Sequence, residues 1–72
     1  MAGPRYAFTL GVLICAPAEP GRYVLWDRDT VIFVGEVSAP HTLLDRLMDH
    51  YCGRAWPSRA THCAWASPGA GG

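Results

Sequence analysis

The amino-acid sequence predicts an α+β fold: a small three-stranded antiparallel sheet flanked by one helix. Three observations carry that expectation. Two apolar runs, rich in β-branched and aromatic residues, surround a short polar break at Asp27-Arg28-Asp29-Thr30. An amphipathic segment with start and stop signals follows, running from His41 to Tyr51. A third apolar run, Ala60 to Ala66, comes after a loop containing Gly53 and Pro57.

The first two runs read as a β-hairpin, with strands near 22–26 and 31–35 and Gly35 ending the second. Both faces of each strand are apolar, so the hairpin is expected to be covered on both sides. If the loop holds two residues, Arg28-Asp29, simple pairing sets Tyr23 opposite Val34 and turns Tyr23 and Phe33 to opposite faces. An odd loop sets the two aromatics opposite each other.

The helix is expected near 42–52. Thr42 precedes it with Asp45 three residues on, which resembles a capping box, and Gly53 stands where a left-handed C-terminal cap is often needed. At about 100° per residue, Leu43, Leu44, Leu47, Met48 and Tyr51 form an apolar arc centred between Leu47 and Tyr51. Arg46 and His50 lie one turn apart on its flank, while Asp45 and Asp49 point away. The third strand is expected near 60–66. Residues 1–66 read as one domain and 67–72 as a flexible tail of small residues.

Before the hairpin, Tyr6 to Ile14 reads equally as a strand or a short helix. Ala16-Pro17-Ala18-Glu19-Pro20-Gly21 is a rigid connector, because its two prolines fix the backbone. The apolar stretch after Arg5 also has a faint likeness to a signal peptide, but Thr9 and Gly11 interrupt it and its charged region is one arginine. Cysteines 15, 52 and 63 are odd in number and match no disulfide framework, which is expected for free thiols in a reducing cytoplasm. No stretch has the length of a membrane-spanning helix.

With 72 residues, half of them apolar, the chain supports one small folded domain. Its formal charge is zero and all six of its cationic residues are arginine. The charge is segregated: residues 27–49 are acidic, whereas residues 50–72 carry Arg54 and Arg59 and no acid. The neutral total lacks the overall basic surface usual in nucleic-acid binders.

Gly21-Arg22-Tyr23, then Phe33-Val34-Gly35, then Arg46-Leu47-Met48-Asp49-His50 follow one another on strand, strand and helix. This ordered set resembles the GIY-YIG nuclease superfamily over about residues 20–65. The resemblance implies a three-stranded antiparallel sheet flanked by helices, DNA as partner, and phosphodiester hydrolysis with one divalent cation, usually Mg2+. It implies catalytic positions for Tyr23, which would help deprotonate water, Arg46, which would stabilise charge on the phosphate, and His50. Gly21, Phe33 and Gly35 occupy its motif positions. The roles suit the residue types. A phenol ionises near 10 and needs help to act as a base. A guanidinium offers a planar fork for two phosphate oxygens. An imidazole can contact phosphate or relay a proton.

The chain departs from the pattern at two places. Phe33 stands where the family usually has tyrosine. The family's metal-binding glutamate follows the third strand, yet no Asp or Glu follows Asp49 here. Glu36 is the available carboxylate, directly after the second strand. The expectation is thus an endonuclease domain short of its metal ligand. Its alternatives are a non-catalytic nucleic-acid- or protein-binding module of the same fold, or a truncated product. Tyr23 can equally be a core aromatic, and Arg46 with His50 a solvated helix face. A zinc site from His50, Cys52, His62 and Cys63 has no standard ligand spacing.

Overall fold

The computed structural model describes residues 5–67. The segment 68–72, nearly all of the expected tail, lies outside the described residues. The elements in chain order are β1 (Tyr6–Ala7), α1 (Leu10–Leu13), β2 (Gly21–Asp27), β3 (Thr30–Val37), α2 (Leu43–Tyr51) and β4 (His62–Ala66). They form an α+β fold with a four-stranded antiparallel sheet in the order β1-β4-β2-β3. The expected sheet had three strands. The fourth is the two-residue β1, which pairs Tyr6 with Cys63 and Ala7 with His62. The ambiguous N-terminal segment is thus both strand and helix in succession. It also belongs to the core, where Phe8, Leu13 and Ala16 are buried.

The hairpin has the two-residue turn Arg28-Asp29, but simple pairing stops one step later. Asp27 pairs with Thr30 and Trp26 with Val31; then a β-bulge shifts the register, so that Leu25 faces Phe33 and Tyr23 faces Gly35. Ile32 is the extra residue. The bulge reverses the expected consequence of an even loop. Tyr23 and Phe33 now share the helix-covered face, because one inserted residue flips every later side chain of β3. Arg28 sits in the left-handed region at φ 59°, unusual for a residue with a Cβ. Its N–H donates to Thr61 Oγ1 at 2.6 Å, and the Thr61 N–H donates to the Trp26 carbonyl at 2.8 Å. These bonds to the chain entering β4 hold the turn.

Helix α2 begins and ends as its cap residues require. Thr42 Oγ1 accepts from the Asp45 N–H at 3.1 Å, and Gly53 takes φ +80° just past the end. The proline-rich connector has a second use. Its carbonyls accept from the first turn of α2, Glu19 O from the Leu43 N–H at 2.8 Å and Pro17 O from the Leu44 N–H at 3.3 Å. Two N–H groups that a helix start leaves unpartnered are satisfied by this bend.

The face α2 buries differs from the expected arc. Leu43, Leu47 and His50 are the buried stripe, while Tyr51 is 41% exposed. At about 100° per residue the helix is rolled about 60° from the apolar arc, towards His50. His50 therefore lies in the core and not on a wet flank. The roll places Leu44 and Met48 at the core margin. Both helices serve one sheet face: Leu13 of α1 and Leu43 and Leu47 of α2 join Tyr23, Leu25, Val37 and Cys63 in a single cluster. The other face is not covered among the described residues, contrary to expectation. There Val24, Trp26, Val31 and Val34 line a broad groove bordered by Arg22 and Glu36. All three cysteines are free, with Cys63 buried; burial pushes its thiol up to about 11, which keeps it protonated and inert.

The rolled helix is testable by truncation. Leu47→Ala, which empties fully buried volume, is expected to cost about 2–5 kcal/mol. Tyr51→Ala, which removes an edge contact with Phe8 at 5.7 Å, is expected to cost about 1 kcal/mol. Urea denaturation of both variants measures the difference; equal losses would contradict the packing.

Candidate active-site cluster

Tyr23 and His50 meet beneath α2. Strand alternation aims Tyr23 of β2 at the helix, the bulge sets Gly35 and Phe33 beside it, and the roll of α2 aims His50 back at the sheet. Both side chains are almost fully buried, at 2% and 1% exposure. His50 Nδ1 lies 2.9 Å from the Pro57 carbonyl oxygen, which can only accept, so Nδ1 carries the proton. In the neutral ring Nε2 is then an acceptor, and Tyr23 Oη, 2.8 Å away, donates to it. The relay runs from the β2 phenol through the α2 imidazole to the loop carbonyl. No buried side-chain nitrogen or oxygen among the described residues lacks a partner.

Aromatic rings and a missing Cβ complete the surroundings. Phe33 lies 5.9 Å from the Tyr23 ring and 5.2 Å from the His50 ring, centroid to centroid. Gly35, opposite Tyr23 in the register, supports the phenol directly: a Cβ there would collide with Cζ, Cε1 and Oη of Tyr23. Its conservation of space, not a special φ, is what the position demands. Gly21 answers a similar need, since a Cβ would run into the Ala66 carbonyl and Leu43 Cδ1.

Arg46, one turn before His50, edges this cluster from solvent. Its side chain is 42% exposed and lies 3.8 Å from Asp49, whose other oxygen accepts from Arg54 Nε at 3.0 Å. Burial pushes the Tyr23 ionisation above its usual 10, and the positive charge of Arg46 pulls less strongly the other way. Burial likewise lowers His50 below its usual 6.5, against the bond to Pro57, which raises it; Arg46 lowers it and Asp49 raises it. At neutral pH the pair is thus an uncharged phenol on an uncharged imidazole, bordered by a cation. Both shifts oppose transfer of the phenol proton to Nε2, so the hydrogen bond fixes the two rings in place, and Arg46 can face an anion.

Tyr23, Phe33, Gly35, Arg46 and His50 are brought together, with Gly21 two residues from Tyr23 at the start of the same strand. Glu36 is not. Neighbouring strand residues point to opposite faces, so Glu36, next to Gly35, leaves the Tyr23 face. It pairs with Arg22 at 3.0 Å on the uncovered side. The reading of Glu36 as a metal ligand is therefore corrected by strand alternation. Asp49 is the carboxylate nearest the cluster, and two arginines occupy it. Among the described residues no three His, Cys, Asp or Glu side chains converge on a point that could hold a metal ion. His50, Cys52, His62 and Cys63 likewise do not gather. The oxygen-rich ligand set that Mg2+ requires is not formed by these residues, so they do not fit the ion. Pro57 was missed by sequence reasoning, since nothing in a loop proline signals that its carbonyl will orient a histidine.

No family model matches this chain, and neither the curated proteins nor the solved structures yield a match.

Two outcomes are expected from this geometry. Gly35→Ala should destabilise the fold by about 1–3 kcal/mol, because a rigid ring must move for a methyl group; a chemical-denaturation midpoint equal to the parent's would refute the contact. Stability should also depend on pH through His50. The unfolded imidazole takes up a proton near 6.5, the folded one only at lower pH. The contribution is therefore complete above 6.5 and is lost as the pH falls from there through the folded value. Thermal midpoints between pH 8 and pH 5 (about one unit or more either side of the reference value) should show that fall, and His50→Gln should reduce it.

Proposed function

We propose that the chain is a GIY-YIG-type domain that engages nucleic-acid phosphate at the Arg46 edge of the Tyr23–His50 cluster and does not hydrolyse it with a metal. The supporting observation is the convergence itself. Tyr23 and His50, 27 residues apart, meet through the roll of α2, the bulge sets Phe33 and Gly35 beside them, and the tyrosine, arginine and histidine that the family resemblance singles out lie together. The non-catalytic part rests on the carboxylates. Glu36 is on the other face, Asp49 is held by Arg46 and Arg54, and Tyr23 spends its hydroxyl on His50 in a site nearly closed to water.

A second reading, an active metal-dependent endonuclease, is favoured by the intact relay and the neighbouring guanidinium. It requires a carboxylate from outside the described residues. One experiment separates the two. Purified protein is mixed with labelled branched and single-strand-containing DNA, with and without Mg2+, across a salt series. The non-catalytic reading expects salt-dependent binding without nicking, and Arg46→Ala should weaken binding and reduce the logarithmic salt slope by about one. Nicking that needs Mg2+ and disappears in Arg46→Ala would establish the second reading. No binding at low salt would defeat the first.

A further inference from the structure

Trp56 is the most exposed large apolar side chain among those described, at 79% exposure. It stands in the loop that follows α2, whose charged residues from Cys52 to Ala60 are Arg54 and Arg59 alone. Exposing an indole forgoes burial of a large apolar surface, so a folded chain gains nothing from it by packing. The loop is nonetheless held firmly. The N–H groups of Arg54 and Ala55 donate to the Asp49 carbonyl at 2.8 and 3.1 Å, and that of Gly53 to the His50 carbonyl at 3.3 Å. Pro57, the next residue, is buried and accepts from His50 Nδ1. The indole is therefore presented outward from a backbone tied to the Tyr23–His50 relay.

A rigid, exposed aromatic between two arginines, with no acid in the segment, has the chemistry of a base-stacking platform. Stacking offers the π-face any nucleobase can use, and arginines track the adjoining phosphates. A base paired inside a duplex does not offer its face; an unpaired base does. We infer that Trp56 stacks an unpaired nucleobase while Arg54 and Arg59 meet the flanking phosphates, so that the domain selects single-stranded nucleic acid. The inference rests on the proposed phosphate-engaging function and names its substrate class.

The test is fluorescence anisotropy of the full chain at low salt with labelled oligo(dT), oligo(rU) and a duplex of equal length. Both single strands are expected to bind more tightly than the duplex, and the comparison of oligo(dT) with oligo(rU) tells a DNA from an RNA preference. Trp56→Ala should weaken single-strand binding about ten-fold and leave duplex binding unchanged. Trp56→Phe, which keeps a ring, should retain most of the affinity. Because Trp56 is exposed, both variants should unfold at the parent's midpoint, which separates lost stacking from lost structure. Single-strand affinity unchanged in Trp56→Ala, or an equal loss for duplex, would overturn the stacking inference while the phosphate-binding reading stands. No binding of any probe would overturn both and leave the indole to a protein partner.

Discussion

The hydrogen-bonded chain from the Tyr23 hydroxyl through the His50 ring to the Pro57 carbonyl joins the three parts of this domain that carry its chemistry. It fixes the central strand to the helix and the helix to the loop that follows. Buried polar groups are costly when unpaired, about 1–3 kcal/mol each, so the three groups hold one another in a single arrangement. The polarity of the relay follows from its end: a carbonyl can only accept, which sets the histidine tautomer and then the direction of the phenol proton.

Two local irregularities make that relay possible. The bulge in the hairpin moves Gly35 beneath Tyr23 and turns Phe33 to the same face. Without it Val34 would stand opposite the phenol, and its side chain would fill the space the ring occupies. The second irregularity is the roll of α2, which buries an imidazole in preference to the ring of Tyr51. A polar ring in the core is tolerable because each of its nitrogens has a partner, whereas the Tyr51 ring keeps a partial contact with Phe8 at the surface.

The charges around the cluster favour an anion. Arg46 and Arg54 share one carboxylate, Asp49, and the buried pair is neutral. A hard dication would have to displace two guanidinium groups to reach that carboxylate, and among the described residues no three His, Cys, Asp or Glu side chains gather to hold it. The exposed indole of Trp56 stands one residue before the Pro57 carbonyl that ends the relay.

The sequence by itself determined the elements: the hairpin from its apolar runs, and the helix from Thr42 and Gly53. These are local facts, written in neighbouring residues and in periodicity. Tertiary structure alone decided which faces those elements present. Apolar periodicity centred α2 on Leu47 and Tyr51 because it counts side chains without asking which polar ones find partners; the phenol and the Pro57 carbonyl, 27 and 7 residues from His50, supplied them. The bulge has no signature in the hairpin residues, since one extra residue in a strand is selected by what lies on either side of the sheet. Glu36 was misplaced for the same reason: its side of the strand depends on a register that only the folded pairing sets.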